Sequence, residues 1–357
     1  MQSPYGLILA GGRGTRFWPR SRKREAKQVL KFFGERSLIQ QTVDRLGPVI
    51  PPERIWVLTN EHLRSAIIKQ LPEVPAKQIL AEPAQRNTGP AIGLAAHILE
   101  SIEPGAVMGV FPSDHVIDKP KEYARLLKPA FKSAGEGNIV VLGIKPRWAE
   151  TGYGYIEFAT GKEVSNREPS AVLKFREKPD AATAAEFVQA GNFYWNAGMF
   201  FFQASVMLDA LRRYLPKTAS LIGGLPSFQK RGFAAAMAEV FPKCENISID
   251  YAVLEHAPNV MGLAAGDIAW NDVGSWNAVY ELAKRDKVGN VLRGHSLVHE
   301  SSGVYAEAPG KLVALLGVKD LIVVDTPDAL LIADRSRAQE VGDLVKKLEK
   351  LGREDLL

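Results

Sequence analysis

The sequence predicts an α/β protein, and three observations predict it. Short apolar runs recur at 5–10, 54–60, 78–83 and 106–111, each stopped by Gly, Pro, Asn or Asp. Stretches with helical spacing of apolar residues lie between them, one per gap. After about residue 288 the texture changes to brief β-like segments separated by Gly, Ser, Pro and Asp. Strand and helix alternating at that pitch make βαβ units, so the first part is a Rossmann-like mixed, mainly parallel sheet flanked by helices. The division falls at 1–287 and 288–357, the second part being a small β domain, a short left-handed β-helix, with a terminal helix.

Residues 5–10 are a buried strand that runs into Gly11, Gly12 and Gly14. Residues 37–46 start a helix with Ser37 as N-cap, 54–60 form a second strand, and EHLRSAIIKQL a helix. QILAEP is the third strand, and Asn87 to Glu100 a helix rich in small residues. The strand at 106–111 ends abruptly in Pro112-Ser113-Asp114-His115. From 138 the pattern turns more antiparallel: NIVVLGIKP, the glycine-rich TGYGYIEF and VLKFREKP, then a helix at 180–190. FYWNAGMFFF is an apolar strand broken by Asn196-Ala197-Gly198, which weaken a strand interior or mark a bulge. Residues 204–256 are mostly helical, 269–276 is an acidic turn between tryptophans, and DRSRAQEVGDLVKKLEKL closes the chain as an amphipathic helix.

The chain has 357 residues, 46% apolar and 24% charged, with a net charge of +5. Its basic excess is concentrated in Arg13, Arg16, Arg20, Arg22, Lys23, Arg24, Lys27 and Lys31, and the first acidic residue is Glu25. One compact cluster beside glycines suits a phosphate site, whereas a duplex binder spreads its cations along a face, so no nucleic-acid partner is expected. No run of about 18 apolar residues exists, so no membrane span is expected. Cys244 is alone and has no zinc-spaced partners. With no signal-peptide pattern, a cytoplasmic location is expected.

In open α/β sheets ligands sit beyond the carboxyl ends of strands, which puts the glycine loop and Asp114 on one rim. The loop fits neither GxxxxGK[ST] nor GxGxxG, since Phe17 follows Arg16. GGRGTRFWPRSR resembles the signature of sugar-phosphate nucleotidyltransferases, and WPRSR their mannose-1-phosphate guanylyltransferase branch. AEPAQRNTGPAI, FPSDHVI, GYGYIE, FREKPD, WNAGMFFF, SIDYAVLE, WNDVGSW and DTPDALLIA are similar to that family's segments, in its order. One departure is Ala26-Lys27-Gln28-Val29 where the family has Pro-Lys-Gln-Phe, which points to a shifted lead-in to Lys27. Longer members carry an isomerase domain; the chain stops before one, and no isomerase activity is expected.

The resemblance implies transfer of a nucleotidyl group to a sugar 1-phosphate, with GTP and mannose 1-phosphate as substrates and Mg²⁺ or Mn²⁺ as cofactor. It implies catalytic roles for Arg16, Lys27, Asp114, Lys178 and Asp272, the two aspartates binding the metal. Leu9, Ala10, Gly11, Gly12, Arg13, Gly14, Thr15, Glu82, Arg86, Asn87, Thr88 and Ser113 are expected on the nucleotide side, and Gly154, Glu177 and Asn196 around the sugar. Singly, these residues have plainer readings. Asp114 could cap the next segment, Asp272 could be a turn residue, and Glu177-Lys178 an exposed ion pair. The same chemistry on another sugar or nucleotide, or a non-catalytic regulatory relative, is the alternative. The apolar stretches of the tail suggest a homodimer.

Overall fold

The computed structural model describes residues 3–159 and 164–357. The first unit opens with β1 (Tyr5–Leu9), α1 (Leu38–Leu46), β2 (Ile55–Asn60), α2 (Glu61–Gln70), β3 (Ile79–Glu82), α3 (Thr88–Ile102) and β4 (Val107–Pro112). Local chemistry sets these boundaries. Ser37 and Gln40 form a reciprocal capping box at the start of α1, and the Asn60 side chain caps α2 through Leu63 N–H. β1 pairs in parallel with β2 on one side and β4 on the other, and β2 with β3. The chain therefore reverses its direction of winding at β1, and the crevice beyond the ends of β1 and β4 is the place where such sheets bind ligands.

There follow β5 (Val116–Ile117), α4 (Pro120–Gly135), β6 (Ile139–Ile144), β7 (Tyr155–Glu157), β8 (Ser170–Ala171), β9 (Lys174–Arg176), α5 (Ala181–Ala190) and β10 (Phe193–Gln203). Helix α4 is not expected from the sequence reading. Pro129 inside it masks an apolar stripe of Tyr123, Leu126, Leu127, Ala130, Phe131 and Ala134 that the structure buries. β10 lies antiparallel between β4 and β6, and its register shifts between Asn196 and Phe200, so the break in the apolar run is a bulge. Helices α6 (Ala204–Tyr214), α7 (Pro216–Gly223) and α8 (Phe233–Val240) pack behind the sheet before β11 (Val260–Ala264), β12 (Trp270–Asn271) and α9 (Trp276–Leu282). Among the described residues the sheet order is β3-β2-β1-β4-β10-β6-β11-β8, with β7 and β9 branching from β10.

The last part holds β13 (Val291–His299), β14 (Tyr305–Leu316), β15 (Leu321–Asp325), β16 (Leu330–Asp334) and α10 (Val341–Lys350). β13, β14 and β15 pair in parallel and β16 closes antiparallel. Their inner face does not stand apart from the first unit. Tyr305, Ile322, Val324 and Leu331 share one buried cluster with Phe17, Phe32 and Trp276. The signature loop is thus anchored by core from both parts. Among the described residues no helix is long and apolar enough to cross a membrane.

Candidate active site

The loop after β1 is built to leave its donors free. Among the described residues, the backbone N–H groups of residues 11 to 16 donate to no protein acceptor. The carbonyls are tied down instead. Gln28 Nε2 donates to Ala10 O at 2.7 Å and Gly12 O at 3.0 Å, and Thr59 Oγ1 donates to Ala10 O at 2.9 Å. A run of N–H groups with no internal acceptor is an anion nest. Gly14 has φ +61°, and a Cβ there would stand 2.5 Å from Lys27 Cβ, so only glycine lets the loop close over Lys27. Ala26 is extended at φ −74°, a value proline itself would hold, so the family's Pro at this position implies no different lead-in to Lys27.

Lys27 is almost fully buried, and its Nζ lies 2.9 Å from Asp114 Oδ2 while donating to the Asp272 carbonyl at 2.7 Å. Arg16 reaches the same turn, donating to Gly274 O at 3.4 Å. Enclosure pushes the Asp114 carboxyl up, but the charge of Lys27 and its hydrogen bond outweigh it and hold Asp114 below the ordinary value. His115 goes the other way: burial lowers it to about 4, so its ring is neutral and Nδ1 accepts from Trp270 Nε1 at 3.2 Å. Tyr153 donates to Asp272 Oδ1 at 2.6 Å. Asp114 and Asp272 each keep one carboxylate oxygen without these partners. Two hard oxygen donors on the turns that Lys27 joins are the donor type that would suit a Mg²⁺. Ser113 is buried just after β4, and its N–H donates to Leu9 O at 3.2 Å, which ties the end of β4 to the end of β1.

Beside the loop is a cavity of about 400 Å³ lined by Leu9, Gly11, Gly12, Glu82, Gln85, Arg86, Asn87, Thr88 and Asn246. Glu82 is its unusual member. Its Oε1 is buried with no hydrogen-bond partner, and burial pushes its pKa up to about 8. Arg86 donates to Pro242 O, and Thr88 Oγ1 accepts from Ile249 N–H at 2.9 Å, so both tie the cavity wall to the segment before β11. Asn87, at φ +65°, accepts from Thr88 N–H and caps α3.

Across Tyr153 lies a second polar cluster. Lys178 N–H donates to Tyr153 O at 3.2 Å, and Lys178 Nζ pairs with Glu177 Oε1 at 3.1 Å. Asn196 N–H donates to Gly154 O at 2.7 Å, and Asn196 Nδ2 donates to Asp250 Oδ1 at 3.0 Å. A Cβ on Gly154 would stand 2.4 Å from Glu177 Oε2. Glu177 is mostly buried and Lys178 mostly exposed, so this pair is half ion pair and half free cation at the rim.

The structure brings Arg16, Lys27, Asp114 and Asp272 together, and links them through Tyr153 to Glu177, Lys178, Gly154 and Asn196. It does not leave Arg13 free, since its guanidinium pairs with Glu349 at 2.8 Å. Thr15 and Arg16 form a single 3-10 turn with Phe17. Sequence reasoning missed Asp250, which burial and then the charge of Glu177 push up to about 7. It also missed Tyr153 and Gln28. Asp250 stood inside a matched segment, SIDYAVLE, but nothing local says which of its residues faces a site.

Residues 5–288 match the Nucleotidyl transferase family model, and residues 294–348 the MannoseP isomerase/GMP-like beta-helix domain. A mannose-1-phosphate guanylyltransferase of Klebsiella pneumoniae is 37% identical over 96% of this chain and 74% of its own length. The alginate biosynthesis protein AlgA of Pseudomonas aeruginosa is 39% identical over 98% of this chain and 73% of its own. A crystal structure from Thermus thermophilus, described as a mannose-1-phosphate geranyltransferase, superposes with a TM-score of 0.85. It covers 98% of this chain and 100% of that one at 33% identity.

Proposed function

The chain belongs to the nucleotidyl transferase family, in the company of mannose-1-phosphate guanylyltransferases, and from that premise we propose that it makes GDP-mannose and pyrophosphate from GTP and mannose 1-phosphate. The observation that carries the reading is the meeting of Lys27, Asp114 and the Asp272 turn at the mouth of a loop whose N–H groups are free among the described residues.

In this reading the triphosphate lies on the N–H groups of residues 11 to 16, with Arg16 and Lys27 neutralising it. The guanine enters the cavity over Glu82, whose carboxylate accepts from two ring-edge donors. The sugar sits against Gly154, with Glu177 and Asn196 on its hydroxyls and Lys178 Nζ on its phosphate. A phosphate oxygen of the sugar attacks the α-phosphorus; the P–O bond to the β-phosphate breaks and pyrophosphate leaves with the electron pair. No general base is required, because the nucleophile is already ionised at neutral pH. Charge neutralisation and in-line positioning supply the rate. Asp114 and Asp272 would hold Mg²⁺ or Mn²⁺, which supplies charge stabilisation at the α-phosphate when bound.

Pyrophosphate release from a panel of triphosphates and sugar 1-phosphates tests this. GTP with mannose 1-phosphate should be the best pair by kcat/KM. Equal rates for other pairs would shift the substrates within the same chemistry, and no release from any pair would leave a non-catalytic relative. We also propose that the chain works as a homodimer through the bare outer face of its C-terminal sheet, where Leu297, Leu312 and Leu316 are exposed.

A further inference from the structure

Half of the cations in the basic segment of the signature loop pair with the C-terminal part of the chain. Arg20 pairs with Glu307 at 2.5 Å, Arg22 with Asp328 at 2.8 Å, Arg13 with Glu349 at 2.8 Å, and Lys23 with Glu354. The indole of Trp18 donates to Leu356 O at 2.9 Å inside the protein. Four of the eight cations in the segment are thereby neutralised by residues beyond 300. Arg16 is treated differently. It forms no ion pair among the described residues, and its polar contact is the long one to Gly274 O. Packing has to set where it stands.

The first turn of α10 supplies that packing. A Cβ on Gly342 would lie 3.4 Å from Thr15 Oγ1 and 3.8 Å from Arg16 Cγ, ordinary contact distances. The 3-10 turn carrying Arg16 is therefore seated directly on a glycine of the last helix. A methyl group fits there, while a branched side chain takes the room occupied by the Arg16 stem.

We propose that α10 is a positioning element of the triphosphate site, with Gly342 the residue that sets the place of Arg16. The inference rests on the reading that Arg16 meets the triphosphate. It makes the C-terminal part a component of the nucleotide site as well as a surface for a partner. Displacing a cation by about an ångström from an anion costs one to two orders of magnitude in rate or binding.

Calorimetric titration of GTP and of mannose 1-phosphate, each alone, into five proteins tests it: native, Gly342→Ala, Gly342→Leu, Arg16→Ala, and Gly342→Leu with Arg16→Ala. Gly342→Ala should bind both ligands as the native protein does. Gly342→Leu should bind GTP about tenfold or more weakly and mannose 1-phosphate unchanged. In the Arg16→Ala background, measured against Arg16→Ala alone, the leucine should cost nothing further, because the two changes remove the same contact. Native-like GTP binding by Gly342→Leu overturns the proposal, as does a parallel loss of both ligands or full additivity with Arg16→Ala. If the native protein itself binds no GTP, the reading of the loop fails first and the proposal falls with it.

Discussion

Lys27 Nζ stands 2.9 Å from Asp114 Oδ2 and donates at 2.7 Å to the carbonyl of Asp272, so a single ammonium joins the loop after β1 to both carboxylate-bearing turns. Each contact would be reoriented rather than lost when a triphosphate arrives, because a lysine is a point charge on a flexible stem. Lys27→Met should lower kcat by about 10²- to 10³-fold, the range seen when a preorganised donor to developing charge is removed. Lys27→Arg should not restore it: the planar guanidinium has no room in a position this buried and closed over by Gly14. Steady-state pyrophosphate release checks both, and a Lys27→Met enzyme with a third of native kcat would remove Lys27 from the chemistry.

Glu82 carries the prediction about base and pH. With its carboxyl pushed up to about 8 by burial, it is protonated in the empty cavity at neutral pH. Accepting two donors from guanine requires the carboxylate, so GTP binding releases a proton, and affinity should rise with pH up to about 8 and then level off. Glu82→Gln should show no such rise and should lose about tenfold of the preference for GTP over ITP, which lacks the 2-amino donor. The stability sign is separate. A raised folded-state pKa gives stability that is present below the ordinary carboxylate value of 4.5 and lost as pH rises through about 8. Glu82→Gln should therefore melt above the native protein at about pH 9 and not at about pH 5. A flat GTP affinity between those values in the native protein would exclude Glu82 from the base contact.

The two predictions draw on residues of very different legibility. The strand into Gly11-Gly12 and the capping box at Ser37 are written in adjacent residues, because strand period, caps and turns are local physics. Lys27, Asp114 and Asp272 are legible through motif resemblance; the pairing of β1 with β4 brings the loop beside Asp114, and the pairing of β12 with β5 brings Asp272 to them. The charge state of Glu82 was not legible, since burial depends on Leu9, Leu58 and Ala91 arriving from three other segments. Nor was the fate of Arg13. It reads as a loop cation, but its partner Glu349 is on the last helix and no spacing rule links the two. Helix α4 was obscured for a local reason, a proline in its interior at position 129.

Gly154 predicts a clean separation between the two substrates. Its φ is not in the left-handed region, so alanine brings no backbone strain there. The cost is contact: the new methyl would stand 2.4 Å from Glu177 Oε2 and 3.3 Å from Asn196 Cβ. Both proposed hydroxyl-binding groups would be displaced while the loop and Glu82 are untouched. Gly154→Ala should raise KM for mannose 1-phosphate by about tenfold or more and leave GTP binding within about twofold of native. Equal weakening of both ligands would mean that Glu177 and Asn196 do not form a sugar site.

The outer face of the C-terminal sheet gives the prediction about assembly. In the paired stretch 295–299 and 312–316, the register alternates sides. Val298, Val313 and Leu315 turn toward a small cluster with Val304 and Ala306. On the opposite side Leu297, Leu312 and Leu316 are 62, 67 and 73% exposed. Parallel strands are ordinarily covered on both faces, and three leucines on one bare face of a parallel ribbon are the kind of patch that a second copy covers. The native protein should sediment as a dimer at about 10 μM, and Leu312→Glu with Leu316→Glu should sediment as a monomer of unchanged helix content. A charge on each leucine costs little in the monomer, where both are solvated, and much in an apolar interface, where a carboxylate would be buried unpaired. A native protein that sediments as a monomer at that concentration, or a double variant that stays dimeric, would rule out this face as the subunit contact.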